Sequence, residues 1–218
     1  MTDICPAILS NDLSDFRRKY AELFALSRYF KTLHVDFADG VFVTTQTVMP
    51  KDLGFLAASP LNLVAHFMTY HPEKYLRSAE AAGFKSAVIH WEAFDSDKEF
   101  NEVLLFGKHL GLKMGLAINP DTKLNHVAKF ISKADFVQLM SIRPGLQGRE
   151  FITSTLEKIK ELRQLGRHVI IVVDGGIKIG IAKQCAKAGA DILVAGSTIL
   201  RSENEEQAIE ALKEDIET

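Results

Sequence analysis

The sequence predicts an α/β fold, a single (β/α)8 barrel over residues 1–218. Short apolar runs alternate with longer segments of helical spacing along the whole chain, and there are eight such runs. Alternation of this kind is typical of a parallel sheet, and eight units in 218 residues suit a closed barrel. An open doubly wound sheet is the structural alternative, but the first run is not followed by the GxGxxG pattern of dinucleotide-binding sheets.

The apolar runs are short, often rich in β-branched residues and bounded by turn residues, as buried parallel strands are. The eight predicted strands are Ile4–Leu9, Thr32–Phe37, Leu63–Phe67, Ser86–His90, Lys113–Ile118, Phe136–Met140, Val169–Val173 and Ile192–Ala195. Proline at a first turn and glycine after a last turn mark helix ends between them. Three helices are located this way, Pro72–Ala82, Phe151–Leu165 and Lys178–Ala188, and helical spacing with surface charge adds Leu13–Tyr29 and Glu205–Ile216.

Composition narrows the class of protein. The chain has 26 Lys and Arg against 28 Asp and Glu, so a general binder of nucleic acid or anionic membranes is not expected. No apolar stretch approaches the roughly 20 residues of a membrane span, and the acidic start is unlike a signal peptide. Cys5 and Cys185 suggest neither a disulfide framework nor a CxxC metal site, so we expect a cytoplasmic protein.

Polar residues at the ends of the predicted strands converge on one interior. His34 and Asp36 are two apart on the second strand, so both point to the same face, which the apolar pattern assigns to the barrel interior. His66 and Asp174 occupy the ends of the third and seventh strands. Buried carboxylates are rare unless paired or bound to metal, and a His and Asp donor set suits Zn²⁺ or a similar divalent ion. We therefore expect a metal site here.

Glycines near the last two strands indicate a phosphate-binding site. Gly175-Gly176 follows the seventh strand and Gly196-Ser197 the eighth, where barrels of this kind often bind phosphate. Glycine lets backbone N–H groups approach an anion, although it also serves tight turns. His90, at the end of the fourth strand, could line the same site or be structural, and the sequence leaves both alternatives open.

Several motifs in register resemble the ribulose-phosphate 3-epimerase family over nearly the whole chain. They are Cys5-Pro6-Ala7-Ile8-Leu9-Ser10, Leu33-His34-Val35-Asp36-Phe37-Ala38-Asp39-Gly40, His66-Phe67-Met68, Gly115-Leu116-Ala117-Ile118-Asn119-Pro120, Met140-Ser141 with Pro144-Gly145, Val173-Asp174-Gly175-Gly176, and Ala188-Gly189-Ala190-Asp191 with Ala195-Gly196-Ser197. The resemblance implies a TIM barrel that inverts carbon 3 of a phosphorylated ketopentose, interconverting D-ribulose 5-phosphate and D-xylulose 5-phosphate. It also implies a homo-oligomer.

The resemblance further implies roles for individual residues. His34, Asp36, His66 and Asp174 would hold the divalent ion, most often Zn²⁺, with Fe²⁺, Mn²⁺ or Co²⁺ as alternatives, and Asp36 and Asp174 would also be the two acid/base groups. The remaining residues would contact the phosphosugar. They are Ser10, His66, Met68, Met140, Gly145, Gln147, Gly148, Gly175, Gly176, Gly196 and Ser197.

The sequence departs from the family pattern where the substrate would fit. Ala38 replaces a methionine, Thr44-Thr45 replaces Pro-Asn, and Gln147 stands where the phosphate loop has glycine. The same loop carries Arg143 and Arg149, and guanidinium groups bind phosphate well. We hypothesise that Arg149 partly replaces the lost backbone contact, the alternative being that both arginines face solvent.

Other functions stay open at this stage. The chain could epimerise another ketose phosphate, or be a non-catalytic phosphosugar-binding barrel. A hexulose-phosphate synthase or decarboxylase on the same barrel would carry Asp-x-Lys at a strand end, whereas Asp36 is followed by Phe37 and Ala38.

Overall fold

Eight parallel strands close into a barrel in chain order, with the eighth strand hydrogen-bonded to the first. The structure is a computed structural model that describes residues 2–145, 148–166 and 168–218. Its strands are β1 (Asp3–Ile8), β2 (Thr32–Ala38), β3 (Asn62–Met68), β4 (Ser86–His90), β5 (Lys113–Ile118), β6 (Phe136–Met140), β7 (Ile171–Asp174) and β8 (Ile192–Ala195). The predicted (β/α)8 fold is confirmed.

Eight helices surround the barrel within the described ranges. They are α1 (Leu13–Ala25), α2 (Glu73–Ala81), α3 (Asp97–His109), α4 (Leu124–Ile131), α5 (Thr155–Leu165), α6 (Ile181–Ala188), α7 (Ser197–Leu200) and α8 (Glu205–Glu217). None of these helices has the length and apolar character needed to span a bilayer. The connection from β2 to β3 contains only two short 3-10 turns, Pro50–Asp52 and Gly54–Ala58.

The strands separate two apolar layers. The larger one lies between the strands and the helices, where Leu33, Val35 and Phe37 of β2 are buried. The smaller one fills the barrel interior and includes Cys5 and Val194. Because side chains alternate along a strand, the residues between the outward-facing ones point into the barrel. This alternation carries polar side chains into the interior at the carboxyl ends of the strands.

Several predicted boundaries were wrong. The first helix ends at Ala25 rather than at Tyr29, because the next residues form turns closed by three-residue hydrogen bonds such as Leu26 N–H to the Leu23 carbonyl. The helix predicted over Phe151–Leu165 begins only at Thr155. Strand β7 is shifted toward its carboxyl end by comparison with the prediction, which brings Asp174 into the strand itself.

Candidate active site

Four polar side chains meet inside the barrel, near the carboxyl ends of β2, β3 and β7. They are His34, Asp36, His66 and Asp174, all buried, and one ligand atom from each lies within 4.8 Å of the others. The convergence predicted from the strand pattern is therefore present in the structure.

Strand geometry accounts for this convergence. His34 and Asp36 point inward from β2 because they are two residues apart. The register of the parallel ladder pairs Asp36 with His66 of β3, and Met140 of β6 with Asp174 of β7. Backbone hydrogen bonds between adjoining strands therefore fix the positions of these residues, independently of the loops.

The contacts within the cluster favour a cation at its centre. His66 Nδ1 lies 2.7 Å from Asp36 Oδ1 and 3.4 Å from Asp174 Oδ2. His34 Nε2 lies 3.3 Å from Asp36 Oδ1 and 3.6 Å from Asp174 Oδ2, yet it has no hydrogen-bond partner in the described part of the chain. An unpartnered buried nitrogen facing two carboxylates is expected of a metal ligand. The four residues could hold a divalent metal ion.

The two carboxylates have opposite pKa shifts. Burial would raise the pKa of Asp36, but the adjoining His34 and His66 rings outweigh burial and hold this pKa well below its ordinary value. For Asp174, burial raises the pKa and the charge of Asp36 raises it further, against an opposing effect of His34. In the protein without a metal, one carboxylate is therefore ionised while its neighbour holds a proton more readily. Burial also lowers the pKa of His66 to about 4.

Gln138 is a site residue that the sequence analysis did not single out. Its Nε2 donates to Asp174 Oδ2 at 2.9 Å, and its side chain is buried. Gln138 lies two residues before Met140 on β6, so the same two-residue spacing that identified His34 and Asp36 could have placed it inside the barrel.

His90 contacts the cluster through His66. Its Nε2 lies 2.9 Å from His66 Nε2, and its Nδ1 faces Glu92 Oε2 at 3.5 Å. Glu92 was not predicted, because it lies in the 3-10 turn Trp91–Ala93 after β4, where strand alternation gives no signal.

A pocket opens above the cluster at the carboxyl end of the barrel. Most of the predicted substrate-binding residues line it, together with both carboxylates. The predicted residues that do so are Asp36, His66, Met68, Met140, Gly145, Gly148, Asp174, Gly175, Gly176, Gly196 and Ser197. The structure thus assembles the two predicted features, the polar cluster and the glycine-rich rim, around one cavity.

Among the described residues, one predicted substrate-binding residue, Ser10, stands apart from this pocket. The Ser10 hydroxyl is bound to the Asp15 carboxylate at 2.5 Å and to the Asp12 carbonyl at 2.9 Å, and Ser10 lines a neighbouring cavity instead. Gln147 lies outside the described residues.

Backbone conformation explains the glycines after β7. Gly176 has φ of +65°, and a Cβ added there would lie 2.8 Å from the Phe151 backbone nitrogen. Gly175 has φ of +112°, and a Cβ there would clash with the Ile142 side chain. These positions require glycine both for the positive φ and for the close approach of the loop after β6.

The two arginines of the loop after β6 are exposed. Arg143 is 73% exposed and lies 3.6 Å from Asp121, and Arg149 is exposed. The guanidinium next to the glycine-rich rim is Arg201, which follows α7: a Cβ added at Gly148 would lie 3.1 Å from Arg201 Nη1. The same point is 3.8 Å from Ser197 Oγ.

Solved structures share this fold at low sequence identity. KGPDC from Streptococcus mutans superposes with a TM-score of 0.74 at 14% identity, covering 99% of this chain and 97% of that one. Identity at this level shows the barrel fold alone.

Sequence relatives identify the family. Ribulose-phosphate 3-epimerase of Chlamydia muridarum is 35% identical, the match covering 92% of this chain and 89% of the relative. The enzyme of the same name from Escherichia coli K12 is 31% identical over 98% of this chain and 95% of the relative. A family model matches residues 3–200. The chain therefore belongs to the ribulose-phosphate 3 epimerase family and is an isomerase.

Proposed function

We propose that this protein interconverts D-ribulose 5-phosphate and D-xylulose 5-phosphate, with a divalent ion at the cluster and with Asp36 and Asp174 as the two proton-transfer groups. The observation that carries the proposal is the buried cluster of two carboxylates and two imidazoles beneath a glycine-rimmed pocket. The names of the relatives support the choice of substrate.

Inversion at carbon 3 needs a base and an acid on opposite faces of a planar enediolate. Asp36, the carboxylate whose pKa is lowered, takes the proton from carbon 3. Asp174, which holds a proton more readily, delivers a different proton to the other face. Strands β2 and β7 present the two carboxylates from different sides of the barrel mouth, and the reverse reaction uses them with exchanged roles. The Gln138 amide, bound to Asp174 Oδ2, fixes the orientation of that carboxyl group.

His34, Asp36, His66 and Asp174 would hold the metal, and their mixed nitrogen and oxygen donor set favours Zn²⁺, with Fe²⁺, Mn²⁺ and Co²⁺ as alternatives. A divalent ion bound there would stabilise the negative charge that develops on the carbonyl oxygen beside carbon 3, an effect worth several kcal/mol. His34 and His66 would bind the ion through unprotonated ring nitrogens, His34 Nε2 and His66 Nδ1.

The phosphate would bind along the glycine-rich rim of the pocket. Gly148, Gly176, Gly196 and Ser197 line that rim, where backbone N–H groups can approach an anion closely. Arg201 adds a guanidinium at its edge, next to Gly148. Binding energy from this remote group would position the sugar over the carboxylates.

One observation favours a second substrate, another ketose phosphate epimerised at carbon 3. Ala38 is buried at the end of β2 and packs with Val43 and Met68, so the methionine expected from the family is replaced by a smaller group behind a residue of the pocket wall. Thr45, which replaces a family asparagine, donates from its hydroxyl to the Gly145 carbonyl and ties the loop after β2 to the loop after β6. These changes lie next to Met68 and Gly145 of the pocket lining and leave the cluster intact.

The test is an assay of the metal-stripped protein before and after addition of each divalent ion, with D-ribulose 5-phosphate, ketohexose 6-phosphates and unphosphorylated D-ribulose as substrates. NMR of the sugar identifies the product. We expect activity only with metal, only with phosphorylated substrates, and highest with D-ribulose 5-phosphate. Full activity in metal-free protein would contradict the metal role, and a preference for a ketohexose phosphate would select the second substrate.

Two isosteric variants test the proton-transfer roles. Asp36→Asn and Asp174→Asn keep the side-chain volume but cannot carry the proton, so each should lower kcat by about 10²- to 10⁴-fold or more. Asp121→Asn, at an exposed position outside the cluster, serves as the control. Retention of activity by either site variant would remove that residue from the mechanism.

A further inference from the structure

A line of four buried or largely buried groups runs from the cluster to the loop after β4. It consists of Asp36, His66, His90 and Glu92, and its three gaps are Asp36 Oδ1 to His66 Nδ1 at 2.7 Å, His66 Nε2 to His90 Nε2 at 2.9 Å, and His90 Nδ1 to Glu92 Oε2 at 3.5 Å. His90 and His66 are both fully buried, and their rings stack at 5.1 Å between centroids.

Counting hydrogens along this line shows a mismatch. Each gap lies between two atoms that carry lone pairs, so each gap must hold one proton or one cation. Two neutral imidazoles supply only two N–H hydrogens for three gaps. If both hydrogens faced the carboxylates, the two Nε2 atoms would meet at 2.9 Å with no hydrogen between them. One gap must therefore be filled by something other than an imidazole hydrogen.

The gap beside Asp36 is the one that a cation would fill. His34 Nε2 and Asp174 Oδ2 face the same point and complete a set of four possible ligand atoms, whereas each of the other two gaps joins only two atoms. With a cation at His66 Nδ1, the His66 hydrogen lies on Nε2 and the His90 hydrogen on Nδ1. All three gaps are then satisfied.

Glu92 is held as the acceptor that ends the line. Its Oε1 accepts from the Asn119 backbone N–H at 2.7 Å and from the Thr122 hydroxyl, so Oε2 is left to face His90. Neither Glu92 Oε2 nor His90 Nδ1 has a hydrogen-bond partner within the described ranges, and at 3.5 Å each faces the other. Burial would raise the pKa of Glu92, but His90, Thr122 and Asn119 outweigh it and lower this pKa, which keeps the group a carboxylate.

We infer that His90 and Glu92 are positioning residues that fix the tautomer of His66, so that its Nδ1 lone pair faces the metal position. Neither residue lines the substrate pocket. The inference rests on the metal binding proposed above. Partners of this kind around metal-bound histidines set ring orientation and ligand basicity, and their loss lowers metal affinity by about 10- to 100-fold.

The substitution Glu92→Gln replaces the acceptor at the end of the line with a donor, at almost constant side-chain volume. Asn119 N–H and Thr122 Oγ–H both donate to Oε1, so the amide oxygen takes that place and the amide NH₂ faces His90 Nδ1. His90 must then carry its hydrogen on Nε2, where it points at His66 Nε2 and displaces the hydrogen there. The His66 hydrogen moves to Nδ1, the atom that the metal needs.

Two measurements on the full-length protein test this assignment: the Zn²⁺ dissociation constant, by competition with a chelating dye, and the ¹⁵N shifts of the histidine rings in the Zn²⁺-loaded and metal-free forms. In the loaded wild type we expect protonated Nε2 on His66 and protonated Nδ1 on His90. Glu92→Gln should raise the Zn²⁺ Kd about 10- to 100-fold and move the His90 hydrogen to Nε2. The control is Thr122→Val, which removes a donor to Glu92 Oε1 but does not change Oε2. It should leave the tautomers of His66 and His90 unchanged.

A second variant covers the case in which Glu92→Gln does not fold. His90→Phe keeps a ring stacked on His66 but cannot accept its hydrogen, so it should weaken Zn²⁺ binding to the same extent. Unchanged Zn²⁺ affinity and unchanged His66 tautomer in these variants would overturn the inference while leaving the proposed function standing. If the wild type itself bound no Zn²⁺, Mn²⁺, Fe²⁺ or Co²⁺, the metal role and the inference would both fail.

Discussion

The turn after β7 offers a quantitative test of how the pocket is built. Gly176→Ala would place a Cβ 2.8 Å from the Phe151 backbone nitrogen and 2.9 Å from its Cα. Because these atoms belong to the backbone, they cannot rotate away as a flexible side chain would. The substituted residue would also keep φ at +65°, a conformation that L residues rarely adopt.

A second glycine separates the two contributions. Gly111 also has a positive φ, +86°, but a Cβ added there has nothing within 4 Å. Gly111→Ala should therefore lose only the conformational term, about 1–2 kcal/mol of the free energy of unfolding. Gly176→Ala should lose the same term plus about 1–3 kcal/mol for overpacking against the Phe151 backbone.

Urea unfolding of both variants measures this difference, compared at equal m-values. The same proteins can be assayed for turnover. Displacement of the Phe151 segment should raise KM for the phosphorylated substrate in Gly176→Ala, whereas Gly111→Ala, remote from the pocket, should keep the wild-type KM. Equal losses of stability in the two variants, or a wild-type KM in Gly176→Ala, would refute the view that close backbone approach shapes this side of the pocket.

The remaining predictions concern the contact of Arg201 with phosphate and the stability of the fold at acid pH. Arg201→Ala should raise KM for the phosphorylated substrate about tenfold, equivalent to about 1.4 kcal/mol, with little change in kcat; a larger rise in Arg149→Ala would assign the phosphate contact to Arg149 instead. Burial would raise the pKa of Asp15, but hydrogen bonds from Lys19 and Ser10 outweigh it and lower this pKa to about 2. A lowered pKa stabilises the fold above the unfolded-state value, so the stability advantage of wild type over Asp15→Asn should be full at pH 7. It should shrink from pH about 4 to about 2 in urea titrations, and a pH-independent advantage would contradict the assignment.

Period-two alternation was sufficient to predict the centre of the site. Outward-facing apolar residues on β2 identify His34 and Asp36 as inward-facing, and parallel strands bring His66 and Asp174 to the same end of the barrel. These features depend on local pattern and on the closure of the sheet. For that reason, they could be found from the chain without knowledge of its contacts.

Contacts between distant strands could not be predicted in the same way. The hydrogen bond of Gln138 to Asp174 depends on the register of β6 against β7, and the role of Glu92 depends on its distance from His90 and on the loop that holds Thr122. Arg201 was overlooked because its approach to Gly148 joins two loops far apart in sequence.

Some helix ends could be predicted from the sequence and others could not. The end of α6 was found from Gly189, which adopts a left-handed conformation after the helix. Helix α3 was not located, although Ser96 with Glu99 is the pattern of a helix start and the Ser96 hydroxyl does accept from the Glu99 N–H. The end of α1 could not be predicted, because its apolar pattern continues into turns beyond Ala25.

The central claim is that two carboxylates on opposite faces of carbon 3 carry out the inversion. A single turnover of D-ribulose 5-phosphate in deuterated water, with the metal-loaded enzyme in excess and the product analysed by NMR, tests it most directly. With separate acid and base groups, the D-xylulose 5-phosphate formed should carry solvent deuterium at carbon 3. Product that retains the original hydrogen at carbon 3 would contradict the account, because one group would then have removed and returned the same proton.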